Sequence, residues 1–174
     1  ALPPPALRAG ALGRRWAAQA LPAVGRGRAS SLAIPARLGS CRGMKIYRAA
    51  FYGSLRQTIY DPEAPPLDGL GRYLGPCTLR GRLVDHGQYP GFFADAEGGE
   101  VLADLIDILD PTGFFTIFDA WEDYIPGAPE RSNYLRRILP LVSPEGAAWV
   151  YVSNQSPDDP EVAGGDWARH LGAT

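Results

Sequence analysis

An α+β domain, its sheet curled into a small mixed β-barrel with a few short helices, is the fold class this sequence predicts. Three observations predict it. Runs rich in β-branched and aromatic residues recur from residue 45 to residue 152. Few stretches carry a helix signature. The links between the runs are Pro- and Gly-rich and of hairpin length.

The first run, Lys45 to Ala50, reads as a strand that leads into Phe51-Tyr52-Gly53-Ser54-Leu55-Arg56. The order there is strand, tight turn, helix start. A glycine in such a turn takes φ > 0 readily, which turns successive backbone N–H groups into one concavity suited to a phosphate or carboxylate. A Gly-Ser turn at a strand end also serves simply to reverse the chain, and six residues leave both readings open. Residues 57–73, with three prolines and two glycines, read as a loop closed by Tyr73-Leu74-Gly75-Pro76. Thr78 to Asp85 alternates apolar and polar, the pattern of a half-buried strand. His86 to Gly91 is a turn cluster, Phe92-Phe93 follows, and an acidic turn leads to Val101–Leu109, the apolar run of a central strand. Asp104 and Asp107 are its anomalies. A paired structural role suits Asp104, with Arg82 or backbone N–H groups as partners.

Asp110-Pro111-Thr112 has a capping residue and then proline at the first helical position. Phe114, Ile117, Phe118 and Trp121 follow at i, i+3, i+4 and i+7, one apolar helix face. Glu122 lies about 100° round from Trp121, at the border of that face and at the helix end. Asp119 and Asp123 are expected further toward solvent. Tyr134 to Val142 reads as a strand on which Arg136 and Arg137 alternate, so that one of them points inward toward an acid or a substrate carboxylate. Pro144-Glu145-Gly146 makes a hairpin turn into the Val- and aromatic-rich strand Ala147–Val152. Gly164-Gly165-Asp166-Trp167 is a turn before a short helical tail. Tyr89 and Trp167 are expected in the core or at its rim, and His86 in a loop.

Composition narrows the function classes. The chain has 174 residues, 45% hydrophobic and 21% charged, which fits one domain with a tail. Residues 1–43 contain seven arginines and no acid; residues 44–174 hold ten basic and nineteen acidic residues, a balance of −9. That balance argues against nucleic acid as a partner of the domain. The Arg-, Ala- and Pro-rich block 1–43 cannot bury enough apolar surface to offset the entropy of ordering and is expected to be disordered. Met44, the sole methionine, stands directly before the first strand. The favoured reading is a start at Met44 with non-native sequence upstream; an organellar transit segment comes second. No apolar run is long enough to span a membrane. Two isolated cysteines and two distant histidines give neither a disulfide framework nor a metal site, and a cytoplasmic setting is expected. Ser54 lacks the Gly-x-Ser-x-Gly context of a nucleophile elbow.

Taken in order, Tyr52-Gly53-Ser54-Leu55-Arg56, Gly81-Arg82-Leu83, Gly87-Gln88-Tyr89-Pro90-Gly91, Phe118-Asp119-Ala120-Trp121-Glu122, Tyr134-Leu135-Arg136, Ala148 to Val152 and Gly165-Asp166-Trp167 resemble the gamma-glutamylcyclotransferase superfamily, in its small AIG2-like branch. Where that family often has Leu-Asp before the Glu and Gly-Glu in the central strand, this chain has Phe118-Asp119 and Ala103-Asp104. The resemblance implies a small mixed barrel. It also implies an enzyme that cyclises a γ-glutamyl group of an amino acid or amine to 5-oxoproline and releases the free amine, with no cofactor. It implies Glu122 as the acid/base, Tyr52, Gly53, Ser54 and Leu55 as the loop that holds the glutamyl moiety, and Tyr134 as a further binding residue. The alternative is a non-catalytic small-molecule or protein-binding module on the same barrel. An intact Glu122 beside an enclosed anion pocket favours the enzyme, and a Glu122 pointing to solvent the module.

Overall fold

A computed structural model describes residues 46–173. The expectation of disorder for residues 1–43 lies outside the described residues.

Six strands and two α-helices follow in the order β1 (Arg48–Phe51), β2 (Gly71–Asp85), β3 (Pro90–Ala94), β4 (Gly99–Ile108), α1 (Pro111–Trp121), β5 (Tyr134–Ser143), β6 (Ala147–Ser153) and α2 (Trp167–His170). The sheet runs β3-β2-β4-β1-β6-β5, and β2 pairs with β5 as well. That pairing closes β2, β4, β1, β6 and β5 into a five-stranded barrel and leaves β3 as a flap on β2. The barrel is mixed because β1 and β6 are parallel while the other pairs are antiparallel. Val101–Leu109 does form the central strand, β4, between β1 and β2.

Two expectations of local structure change. Residues 71–76 belong to β2, where a bulge between Tyr73 and Gly75 interrupts the register with β4. Gly75 takes φ 141° at that irregularity, a conformation open to glycine. A loop reading was natural because Gly-Pro breaks the alternation that marks a strand. After Arg56 the chain makes only one 3₁₀ turn, Gln57–Ile59, and no α-helix starts there.

Alternation along β1 sends residues to two cores. Ala50 and Tyr52 face the barrel interior with Leu79, Phe92, Val101, Val150 and Trp167. Ala49 and Phe51 face the other way and pack beneath α1 with Ile106, Ile108, Phe114 and Phe118. Asp110 caps α1 by accepting from the Thr112 N–H at 3.1 Å, with Pro111 opening the helix. A side chain at Gly113 would crowd the other oxygen of that capping carboxylate, so glycine leaves the cap undisturbed. The helix stops at Asp123, which takes φ 50°. Asn133 then ties that turn to the start of β5, donating from Nδ2 to Asp123 Oδ2 at 2.6 Å. No helix among the described residues is long and apolar enough to cross a membrane.

Candidate functional site

The buried line of α1 is Phe114, Phe118 and then Glu122, spaced four residues apart. Phe114 and Phe118 have no exposed surface, whereas Ile117 and Trp121 are exposed. The inward ridge therefore follows the i+4 row and not the 114-117-118-121 face expected from hydropathy. This places Glu122 on the ridge itself instead of at its border. Glu122 is half-buried there. Burial pushes it from 4.5 up to about 8.

Three tyrosines stand close enough for a charge on Glu122 to act on them: Tyr52 after β1, Tyr134 at the start of β5 and Tyr151 in β6. Burial raises each phenol well above its ordinary 10, and the Glu122 charge adds to the shift. All three hydroxyls therefore keep their protons, and each donates its proton elsewhere. Tyr52 Oη donates to the Tyr151 carbonyl at 2.6 Å, Tyr134 Oη to the Pro90 carbonyl at 2.8 Å, and Tyr151 Oη to Asp119 Oδ1 at 2.7 Å. None of these three hydroxyls donates its proton to the Glu122 carboxyl. A half-buried carboxyl within electrostatic reach of three phenols is an arrangement that raises its proton affinity. It suits a group that must pick up and return a proton.

The Tyr52–Leu55 segment is a tight turn, closed by Arg56 N–H donating to the Gly53 carbonyl at 3.0 Å. No described residue accepts from the Ser54 or Leu55 N–H. Gly53 does not take φ > 0. Its requirement is a close approach: a Cβ there would lie 2.9 Å from Pro90 Cγ and 3.2 Å from Pro90 Cδ. Pro90 is itself held by the Tyr134 hydroxyl, so Gly53→Ala should cost about 1–3 kcal/mol of stability by overpacking. Urea unfolding of the variant checks this; an unchanged midpoint would show that Pro90 yields freely.

Arg56, the last residue of the motif, is 5% exposed and anchors the turn. Its Nη1 donates to Asp166 Oδ1 at 2.6 Å, and its Nε lies 3.5 Å from Asp104 Oδ1. Asp104 Oδ2 accepts from the Gln57 N–H at 2.6 Å. Asp104 thus has the structural role expected of it, with Arg56 as partner; Arg82 pairs with Asp95 instead. Asp166 also caps α2, accepting from the N–H groups of Ala168 and Arg169. One buried network therefore joins the turn, β4 and α2.

Opposite the turn, the side chain of His86 is only 3% exposed. Its Nδ1 lies 2.5 Å from Asp159 Oδ2 and its Nε2 3.0 Å from Ser153 Oγ. This fixes the chain just before Tyr89 and Pro90, and the Tyr89 ring packs edge-on against Tyr134 at 6.3 Å. His86 follows β2 as a loop residue should, but it works as a buried anchor.

The sequence reading missed two members of the cluster, Tyr151 and Asp119. Asp119 is not solvated: Arg136 Nη1 reaches both its oxygens at 2.8 Å, and the two side chains are 14% and 19% exposed. Arg136 is the arginine that faces inward, while Arg137 is exposed. The signal was available, since an inward Arg136 needs an acid and Asp119 is within reach of it. A cavity of about 620 Å³ opens on a different face of α1, lined in part by Phe115, Asp119, Tyr124 and Arg136. It contains neither Glu122 nor the Tyr52–Leu55 turn. Among the described residues no group of His, Cys, Asp or Glu could hold a metal ion.

Residues 49–169 match the model of the family described as gamma-glutamyl cyclotransferase, AIG2-like. The chain belongs to that family. A protein of Halalkalibacterium halodurans that bears the name of a candidate gamma-glutamylcyclotransferase is 34% identical over 97 residues, 52% of this chain and 81% of that protein. The fold is shared with an uncharacterised protein of Pyrococcus horikoshii, at TM-score 0.53 and 18% identity over 72% of this chain and 92% of that one. It is shared also with a uropathogenic E. coli-specific protein, at TM-score 0.53 and 14% identity over 75% and 99% of the two chains. For this family member, the matched region takes in the Tyr52–Arg56 turn, all of α1 with Glu122, and the Asp166 cap.

Proposed function

We propose that the chain is a cyclotransferase that converts a γ-glutamyl amino acid or γ-glutamylamine into 5-oxoproline and the free amine. The observation that carries this reading is the place of Glu122 at the end of the buried α1 ridge, inside the family-matched region and within electrostatic reach of Tyr52, Tyr134 and Tyr151, where burial pushes its carboxyl up to about 8. A solvent-facing Glu122 would have favoured a binding module.

The ionised carboxyl takes a proton from the substrate's α-ammonium group. The freed amine attacks the γ-carbonyl carbon, the ring C–N bond forms, and the carbonyl oxygen becomes an oxyanion. As that intermediate collapses, Glu122 gives its proton to the departing nitrogen and the original amide bond breaks; the carboxylate so regenerated takes the second proton from the ring nitrogen, leaving the neutral lactam, and passes it to solvent or to the released amine. An acid whose value lies near 8 suits both halves of that exchange at physiological pH. The backbone N–H groups of Ser54 and Leu55 are free to receive the oxyanion or the α-carboxylate. Tyr52 and Tyr134 shape the site around the glutamyl group. Ring closure is intramolecular, so holding one conformer supplies much of the rate.

The test is to incubate the full chain with a panel of γ-glutamyl amino acids and amines and to assay 5-oxoproline. Release from at least one member supports the reading; release from none overturns it in favour of a binding module. A second expectation concerns pH. Because the base must be ionised, kcat/KM should climb nearly tenfold per pH unit up to about 8 and then level off. A rate that is flat from pH 6 to 8 would remove Glu122 from the role.

A further inference from the structure

The cavity of about 620 Å³ beside α1 takes no part in the reading of Glu122. Its size falls among small-molecule pockets, which run from roughly 300 to 1,000 Å³. Apolar surface makes most of its wall, with Phe115 and Ala120 on α1 and Tyr124 and Pro126 in the chain that follows the helix. Two charged side chains meet in it, Asp119 of α1 and Arg136 of β5. An apolar wall with a few convergent polar groups is the usual make-up of a ligand site.

The charged pair has capacity to spare. Among the described residues only Asp119 accepts from the Arg136 side chain, and it engages Nη1 alone, at 2.8 Å to each oxygen. The N–H groups on Nε and Nη2 are left over. Aromatic rings hold the guanidinium in place: its carbon lies 3.9 Å from the centroid of Phe115, 5.3 Å from that of Trp149 and 5.4 Å from that of Tyr124. It is a preset fork for a planar carboxylate. Asp119 Oδ1 accepts twice, from Arg136 and from the Tyr151 hydroxyl, whereas Oδ2 accepts from Arg136 alone. A carboxylate oxygen has two lone pairs, so Oδ2 has room for a second donor. The pair is neutral as a whole. A simple anion or cation is drawn by one member and repelled by the other; a ligand that carries both charges close together is matched by both.

We propose that this cavity binds a free α-amino acid with an apolar or aromatic side chain: its carboxylate on the unused Arg136 N–H groups, its ammonium on Asp119 Oδ2, and its side chain against Phe115 and Tyr124. The proposal does not rest on the reading of Glu122. The two charges of an α-amino acid sit on one carbon, and the two charges that meet them are joined by a hydrogen bond, so the spacings agree. A large apolar side chain gains by leaving water for the aromatic wall. A charged one would lose its hydration there without a partner. Joining the amino acid into a peptide removes one of its two charges, so the free form is selected.

Isothermal titration calorimetry of the full chain tests this with L-phenylalanine as the probe. Hydrocinnamate, which lacks the ammonium, and phenethylamine, which lacks the carboxylate, are run beside it. L-phenylalanine should bind saturably, and each analogue about tenfold or more weakly by comparison, since each gives up one charged hydrogen bond. Ala120→Trp is a change at an exposed helix position that fills the cavity. It should remove binding while the urea midpoint stays where it is. Arg136→Lys keeps the charge of the pair but not the fork, and should weaken binding about tenfold. Glu122→Gln should bind as the wild type does. The readout is binding alone, so it stands even where no 5-oxoproline is formed. No saturable binding by the wild type would overturn the proposal, and so would equal binding of all three compounds, which is apolar adsorption. Binding that survives Ala120→Trp but is lost in Glu122→Gln would also overturn it, because the amino acid would then sit at Glu122.

Discussion

Glu122→Gln should abolish 5-oxoproline release and at the same time make the folded protein more stable at neutral pH. The first effect is the loss of a general acid/base, which lowers kcat/KM by about 10²–10⁴-fold. The amide fills the same space, so substrate should still bind and the loss should appear mainly in kcat. The second effect follows from linkage. Burial pushes the folded Glu122 carboxyl from an ordinary 4.5 up to about 8, so folding opposes its ionisation. Below 4.5 the carboxyl is neutral in both states and nothing is lost. As pH rises from 4.5 to 8 the unfolded state ionises first, and wild-type stability falls steadily relative to a neutral variant. The advantage of Gln is then absent at pH 4, on the order of 3 kcal/mol at pH 7, and constant above 8. Urea unfolding of both proteins at pH 4, 7 and 9 measures it. Equal stability at all three would show that the carboxyl is solvated, and the argument for a tuned base would fall with it. A site that destabilises its own fold is what catalysis by a buried acid requires.

Much of this arrangement was legible in the sequence, and the parts that were not share a cause. Asp110-Pro111 announced α1, and the alternation of 147–152 announced β6, because local chemistry decides both. The inward ridge of α1 was misjudged because Ile117 and Trp121 are as apolar as Phe114 and Phe118. Only the barrel beneath decides which i+4 row is covered, and that row carries an acid. Gly53 was rightly singled out for the wrong reason: its constraint comes from Pro90, which is 37 residues away in the chain, and not from its own φ. Asp119 looked solvated because a helix pattern shows that Trp121 is close but not that Arg136 of β5 lies across from it. Contacts between distant segments are what sequence periodicity does not contain. The family resemblance supplied Glu122 and the Tyr52–Leu55 turn; the structure supplied Tyr151 and Asp119 around them.

The second large effect is expected at Arg56. Arg56→Met keeps the length and apolar stem of the side chain but removes the cation that lies between Asp104 and Asp166. Asp104 is 4% exposed and would keep only the Gln57 N–H as a donor. Breaking a buried pair from one side leaves an uncompensated charge, at a cost of about 3–5 kcal/mol. Burial works against ionisation of Asp166, but the hydrogen bond from Arg56, helped by those from Arg169 and Ala168, outweighs it and holds the carboxyl below its ordinary 3.8. That part of the stabilisation is complete above the ordinary value and is lost as pH falls below it. The gap between wild type and variant should therefore narrow in acid. Arg56→Met/Asp104→Asn should recover much of the loss, because the amide oxygen still accepts from Gln57 and no charge is stranded. Denaturant unfolding at pH 7 and pH 3 decides the matter. If the single variant is as stable as wild type at pH 7, the pair does not hold the turn. Because Arg56 directly follows Tyr52–Leu55, the single variant should also raise KM for whichever γ-glutamyl compound the panel identifies. The double variant should bring it back part of the way, since the anchor at Gln57 is retained while the tie to α2 is not.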